Sequence, residues 1–121
     1  MGNILITGAS RGIGAATARV LAVKGHNLCI NYHKQKDRAD QLVEQLQTQG
    51  VKAIAVQADV SQEQQVVDLF NTMDERLGPI TGLVNNAGIL LPQMLVEQMD
   101  AERINRLLTT NVTSYFLCCK E

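Results

Sequence analysis

Gly8, Gly12 and Gly14 fall in the string TGASRGIG, Thr7 to Gly14, directly after the apolar run Ile4, Leu5, Ile6 and directly before the helix-forming stretch Ala15 to Ala22. Glycines so placed answer three needs: Gly8 turns the chain out of a strand, Gly12 leaves backbone bare where a ligand approaches, and Gly14 lets a helix close on a sheet. A helix starting there presents unpaired N–H groups and the positive end of its dipole, the complement of a pyrophosphate. The strand before and the helix after give the motif its specificity, since three glycines alone carry little.

The next chemistry-bearing positions concern the nucleotide that such a turn would hold. A dinucleotide site for NAD has an acidic residue about 20 residues beyond the glycines, at the end of the second strand, to bind the adenosine ribose. Asn31, Tyr32, His33 and Lys34 fill that place, and no carboxylate follows until Asp37. His33, Lys34 and, within the turn, Arg11 are instead suited to the 2′-phosphate of NADP. Arg11 would offer a planar fork and Lys34 a point charge. The bland alternative for each is a solvated surface cation. Further on, Asp59 can accept from an adenine amino group beside an apolar wall at Val60, or else cap the helix that follows. Asn85, Asn86 and Gly88 allow a close backbone approach beside the first strand, or form an ordinary strand-end turn.

These residues need a scaffold, and the pattern supplies one. Strands are expected at Asn3 to Thr7, Asn27 to Tyr32, Ala53 to Gln57 and Gly82 to Asn85. Helices are expected at Gly12 to Lys24, Lys36 to Gln49, Ser61 to Leu77 and Ala101 to Leu108, with another from Asn111. Gly25, Gly50 and Gly78-Pro79 stand where helices should stop. Strand and helix in alternation give an α/β, doubly wound parallel sheet of Rossmann type, one domain over residues 1–121, in the strand order 3-2-1-4. The two later strands of that fold are missing from the chain.

Composition narrows the partners. A formal charge of −1 and 3% aromatics give neither a basic nucleic-acid face nor a polybasic membrane patch, so the expected partner is a small molecule. No apolar run suggests a membrane span, and the first strand begins too close to Met1 for a signal peptide; a cytoplasmic location is expected. Met1-Gly2 lacks the serine or threonine that myristoylation wants, Ile6 standing there instead. Cys29, Cys118 and Cys119 have no metal-ligand spacing, and no metal site is expected; they read as small apolar residues in a reducing compartment.

TGASRGIG, then ADV at Ala58 to Val60, NNAG at Asn85 to Gly88 and TNV at Thr110 to Val112 resemble, in that order and at those intervals, the N-terminal half of a classical short-chain dehydrogenase/reductase. The resemblance covers essentially the whole chain. Asn31 to Lys34 and the stretch from Asn85 to Glu121 look most like bacterial glucose 1-dehydrogenase-like and 3-oxoacyl-ACP-reductase-like members. It implies that Gly8, Ser10, Arg11, Gly12, Ile13 and Gly14 hold the adenosine and pyrophosphate of NADP, or of NAD. It places Asp59 and Val60 at adenine and Asn86, Ala87 and Gly88 at the ribose side. Asn111 would be the active-site asparagine, kinking its helix and holding a water in a proton relay. On spacing alone Asn111 can equally be the N-cap of the following helix. Asn111-Val112-Thr113 also matches a glycosylation acceptor, an incidental match if, as expected, the protein has no secretory signal.

Members of the family continue with a serine and a Tyr-x-x-x-Lys, where a lysine lowers the pKa of a phenol that must act as acid or base toward a carbonyl or alcohol. Tyr32 and Lys36 share the spacing but belong to the adenosine side, and Tyr115 and Lys120 do not share it. The expectation is an oxidoreductase moving hydride between NADP(H) and a carbonyl or alcohol, with this chain alone binding nucleotide at most. The fourth strand's open edge leads to an expected homo-oligomer. The alternative is a non-catalytic nucleotide-binding or interaction module. A phosphate hydrolase is excluded because no Lys-Ser/Thr follows the glycines.

Overall fold

The computed structural model describes residues 1–121. Strands β1 (Asn3–Ile6), β2 (Asn27–Tyr32), β3 (Ala53–Gln57) and β4 (Gly82–Val84) alternate with helices α1 (Gly12–Val23), α2 (Lys36–Gln47) and α3 (Glu63–Arg76). After β4 come a 3₁₀ turn (Val96–Gln98), α4 (Ala101–Leu108), a π-helical turn (Thr109–Thr113) and α5 (Ser114–Lys120). The four strands are parallel in the order β3-β2-β1-β4, as the alternating pattern requires. The expected element boundaries agree with the structure to within about two residues, the usual spread at helix ends. The exception is the segment after α4, where a π turn joins α4 to α5 and Thr113, not Asn111, precedes α5.

Parallel strands are covered on both faces, and here the residue alternation along each strand divides the core in two. Ile6, Leu28 and Ile30 face α1 and α2, meeting Ala15, Ala18, Ala22, Leu42 and Leu46. The buried residues of α1, Gly14, Ala15, Ala18 and Ala22, give it a thin inner surface, which favours close packing on the sheet. Leu5 and Cys29 point the other way, into Val66, Leu69, Phe70 and Met73 of α3 and Cys118 of α5. Each fully buried leucine among these contributes about 1.5–3 kcal/mol.

Cys29 lies wholly inside that second core, and burial pushes its thiol up to about 12, with the nearby charge of Arg76 pulling weakly the other way. Burial also pushes Cys118 up to about 11, and Cys119 adds to the shift. Cys119 is exposed. Iodoacetamide near neutral pH should therefore add one adduct to the folded chain, at Cys119, and three to the unfolded chain, as read by intact mass. Rapid native labelling of Cys29 would contradict the packing. A thiol that ionises later in the folded state binds its proton longer than the unfolded chain does. Cys29 thus makes stability fall above about pH 9, by about 1.4 kcal/mol per pH unit, until its folded thiol ionises.

Candidate functional site

The glycine turn leaves β1 at the carboxyl end of the sheet, where β1 lies between β2 and β4 and the order of strands reverses. That crevice is where open α/β sheets bind ligands. Side chains from the neighbouring strand ends hold the turn. The Asn31 side chain, 2% exposed, accepts from the Gly8 N–H at 3.1 Å and donates to the carbonyls of Tyr32, Val56 and Ala58 at 3.4, 3.3 and 3.2 Å. From the other side the Asn86 amide donates to the carbonyls of Thr7 and Gly8, both at 3.0 Å. The buried Thr7 hydroxyl in turn accepts from the N–H groups of Asn86 and Ala87, each at 3.0 Å.

Two of the glycines are required by contact. Gly8 has φ +59°, and a Cβ there would come within 2.8 Å of the Ala87 Cα; one at Gly14 would come within 2.8 Å of the Ala9 Cα. Gly12 differs: its φ is +61°, yet a Cβ would meet nothing within 4 Å. The bare backbone there borders open space. α1 has no side-chain cap and no acidic residue in its first turn, whereas α2 and α3 carry Asp37 and Glu63 there. The dipole end of α1 is thus left without a negative partner from the protein itself.

A cleft of ≈ 660 Å³ opens from the turn across the ends of β2, β3 and β4. Of the residues singled out in the sequence, Gly8, Ser10, Arg11, Gly12, Tyr32, His33, Lys34, Asp59, Val60, Asn86, Ala87 and Gly88 line it. Ile13 does not, being 80% exposed, nor does Gly14, which is buried. Arg106 of α4 also lines the cleft, as does Thr110 of the π turn, which the sequence marks only as the start of the TNV string. Their four-residue separation puts them on one helix face, which is the signal available in the sequence. Arg11, Lys34 and Arg106 outnumber the single carboxylate, Asp59, on this wall.

Asp59 serves a local turn as well. Its Oδ1 accepts from the Ser61 N–H at 3.0 Å and the Ser61 hydroxyl at 2.7 Å, while its Oδ2 stands 3.9 Å from His33 Nε2. The residue at the N-cap of α3 is Gln62, so Asp59 shapes the approach to the helix rather than capping it.

Asn111 is settled by its partners. Its Oδ1 accepts from the Ile89 N–H at 2.7 Å and its Nδ2 donates to the Ile89 carbonyl at 2.9 Å, so the N-cap reading is replaced by a clamp on the strand-end loop. It sits in the middle of the π turn, a departure from α geometry that displaces the following helix. The lysines that follow a tyrosine in the sequence are held by carboxylates: Lys36 bonds Asp40 at 2.6 Å, and Lys120 pairs with Glu121 at 2.9 Å and with Glu63 at 3.3 Å. No helix is long and apolar enough to cross a membrane.

Strand order, glycine turn and carboxyl-end cleft define an α/β protein of the Rossmann type. The chain belongs to the short chain dehydrogenase family, whose pattern it matches over residues 2–121. It is 50% identical over its full length to an uncharacterized oxidoreductase, YgfF, of Escherichia coli, covering 49% of that protein. It is 36% identical over 119 residues, 98% of the chain and 48% of the relative, to the 3-oxoacyl-(acyl-carrier-protein) reductase FabG of Staphylococcus epidermidis. A solved short-chain dehydrogenase/reductase from Serratia marcescens superposes with a TM-score of 0.92 at 29% identity, over 98% of this chain and 48% of that one. The chain therefore spans about half the length of the curated relatives it matches.

Proposed function

We propose that residues 1–121 form the nucleotide-binding unit of an NAD(P)-dependent oxidoreductase acting on a carbonyl or alcohol, with NADP the preferred cofactor. The observation that carries this reading is the charge of the cleft: Arg11, Lys34 and Arg106 line it, and the place for a ribose-binding carboxylate at the end of β2 is held by residues without one. The residues present fit the group, because the bare backbone at Gly12 borders open space and the first turn of α1 has no negative partner of its own.

In this reading the N–H groups of Ser10 to Gly14 receive the pyrophosphate, and Arg11, His33 and Lys34 receive the 2′-phosphate beside Tyr32. Asp59 Oδ2 and Val60 face adenine, and Asn86, Ala87 and Gly88 flank the ribose. Asn111 acts as a positioning residue, fixing the Ile89 backbone at the edge of the cleft and so the loop that forms one wall for the substrate. When bound, the cofactor would deliver hydride to a carbonyl carbon or accept it from an alcohol carbon; the protein would supply binding and orientation.

Calorimetry tests the assignment. NADP should bind at least about tenfold tighter than NAD, and Arg11→Ala and Lys34→Ala should each erase most of that difference, as expected for charge-assisted bonds worth about 1.5–3 kcal/mol. Tighter binding of NAD than of NADP would refute it.

A further inference from the structure

Arg11 faces two ways. Besides the large cleft it borders a separate hollow of ≈ 280 Å³ between α1 and α2, whose wall also carries Arg19 and Arg38 with the neutral side chains of Ser10, Gln41 and Gln45. No carboxylate lines this hollow, in a chain with 12 acidic residues and a formal charge of −1. None of the three arginines belongs to an ion pair of the structure. Arg19 is instead set in place by a neutral partner, donating from Nε and Nη2 to Gln45 Oε1 at 3.3 and 3.2 Å.

The three guanidinium groups are exposed and water screens them from one another, so the hollow gathers hydrogen-bond donors of one charge with no counter-charge of its own. Their planar forks match a tetrahedral oxyanion with several acceptor oxygens better than they match a point charge. The volume exceeds that of a phosphate group, leaving room for a substituent on it. We propose that this hollow is an accessory site for a phosphate dianion, distinct from the adenosine cleft and joined to it through Arg11. An anion held there draws on the same guanidinium that the proposed NADP reading assigns to the 2′-phosphate, so the two ligands oppose each other. That coupling rests on the reading above; occupancy of the hollow does not.

Phosphorus NMR and calorimetry with inorganic phosphate, and separately with glycerol 3-phosphate, at low ionic strength and without nucleotide, test it. Saturable binding is expected in the unmodified chain, with at least about a tenfold loss of affinity in the Arg19→Gln/Arg38→Gln double variant. Gln41→Glu, which places a carboxylate in the hollow while keeping a good helix former at an exposed position, should give the same loss and guards against a folding artefact in the double variant. Binding of inorganic phosphate alone assigns the free ion as the ligand; binding of both probes assigns a phosphate monoester. Affinity for either probe that is unchanged in both variants would put the anion at the glycine turn and overturn the proposal. So would an absence of saturable binding, or loss of NADP affinity in the double variant with phosphate binding intact. Failure of NADP to bind at all, with phosphate still sensitive to Arg19 and Arg38, would instead count against the cofactor reading alone.

Discussion

Asn31→Leu is expected to destabilise the chain by about 3–5 kcal/mol, among the largest losses available to a single substitution here. Leucine keeps the branched outline, with bulkier methyl groups, but returns none of the four hydrogen bonds that Asn31 makes to Gly8, Tyr32, Val56 and Ala58. The Gly8 N–H and the Ala58 carbonyl lose this partner, while the Tyr32 carbonyl keeps the Ala58 N–H; each buried group left unpaired costs about 1–3 kcal/mol, and Asn31 is only 2% exposed. Asn31→Asp should also fail, because it turns the donor that serves three carbonyls into an acceptor facing them. Urea denaturation reads the effect directly. A loss below about 1 kcal/mol for the leucine variant would mean that these bonds are replaced by others and that the corner is not held as described.

The second large effect concerns the turn itself. Gly8→Ala combines a positive φ with a methyl group 2.8 Å from the Ala87 Cα, a backbone atom that cannot step aside without moving the end of β4. We expect a stability loss of about 2–4 kcal/mol and a fall in nucleotide affinity of at least about tenfold, since the same displacement opens the cleft. Gly12→Ala separates the two causes. Its methyl group enters open space, so only the φ +61° strain remains in the free protein, about 1–2 kcal/mol, while nucleotide affinity should fall as far as for Gly8→Ala because the methyl occupies ligand space. Thermal melts set beside calorimetry on both variants give the comparison. Unimpaired nucleotide binding by Gly12→Ala would remove the turn from the site.

Much of this arrangement could be read before any coordinates. The strand and helix boundaries, the order of strands and the glycine turn are local or topological matters, and periodicity and turn residues determine them. Twelve of the residues singled out for the nucleotide meet on one wall, because parallel strands bring all their carboxyl ends to the same edge. What was hidden depends on long-range approach. Asn31 looked like the occupant of a ligand position; its inward direction is set by the ends of β3 and the glycine turn closing over it. Arg106 and Thr110 reach the cleft from a helix more than 90 residues beyond the turn. Asn111 showed cap chemistry by type, and only the loop at Ile89 determines that its amide is spent there.

The bonds that bind the glycine turn have a thermodynamic meaning beyond stability. The backbone of Thr7, Gly8 and Ala9 is tied on the sheet side by Asn31, Asn86 and Val84, so the turn has little freedom left to lose. A ligand arriving at its outer face meets a surface already in shape, and association carries little entropic cost for ordering the chain. In the proposed NADP reading, discrimination between nucleotides would fall to the exposed side chains around that rigid seat, Arg11, His33 and Lys34, whose replacement would leave the seat itself undisturbed.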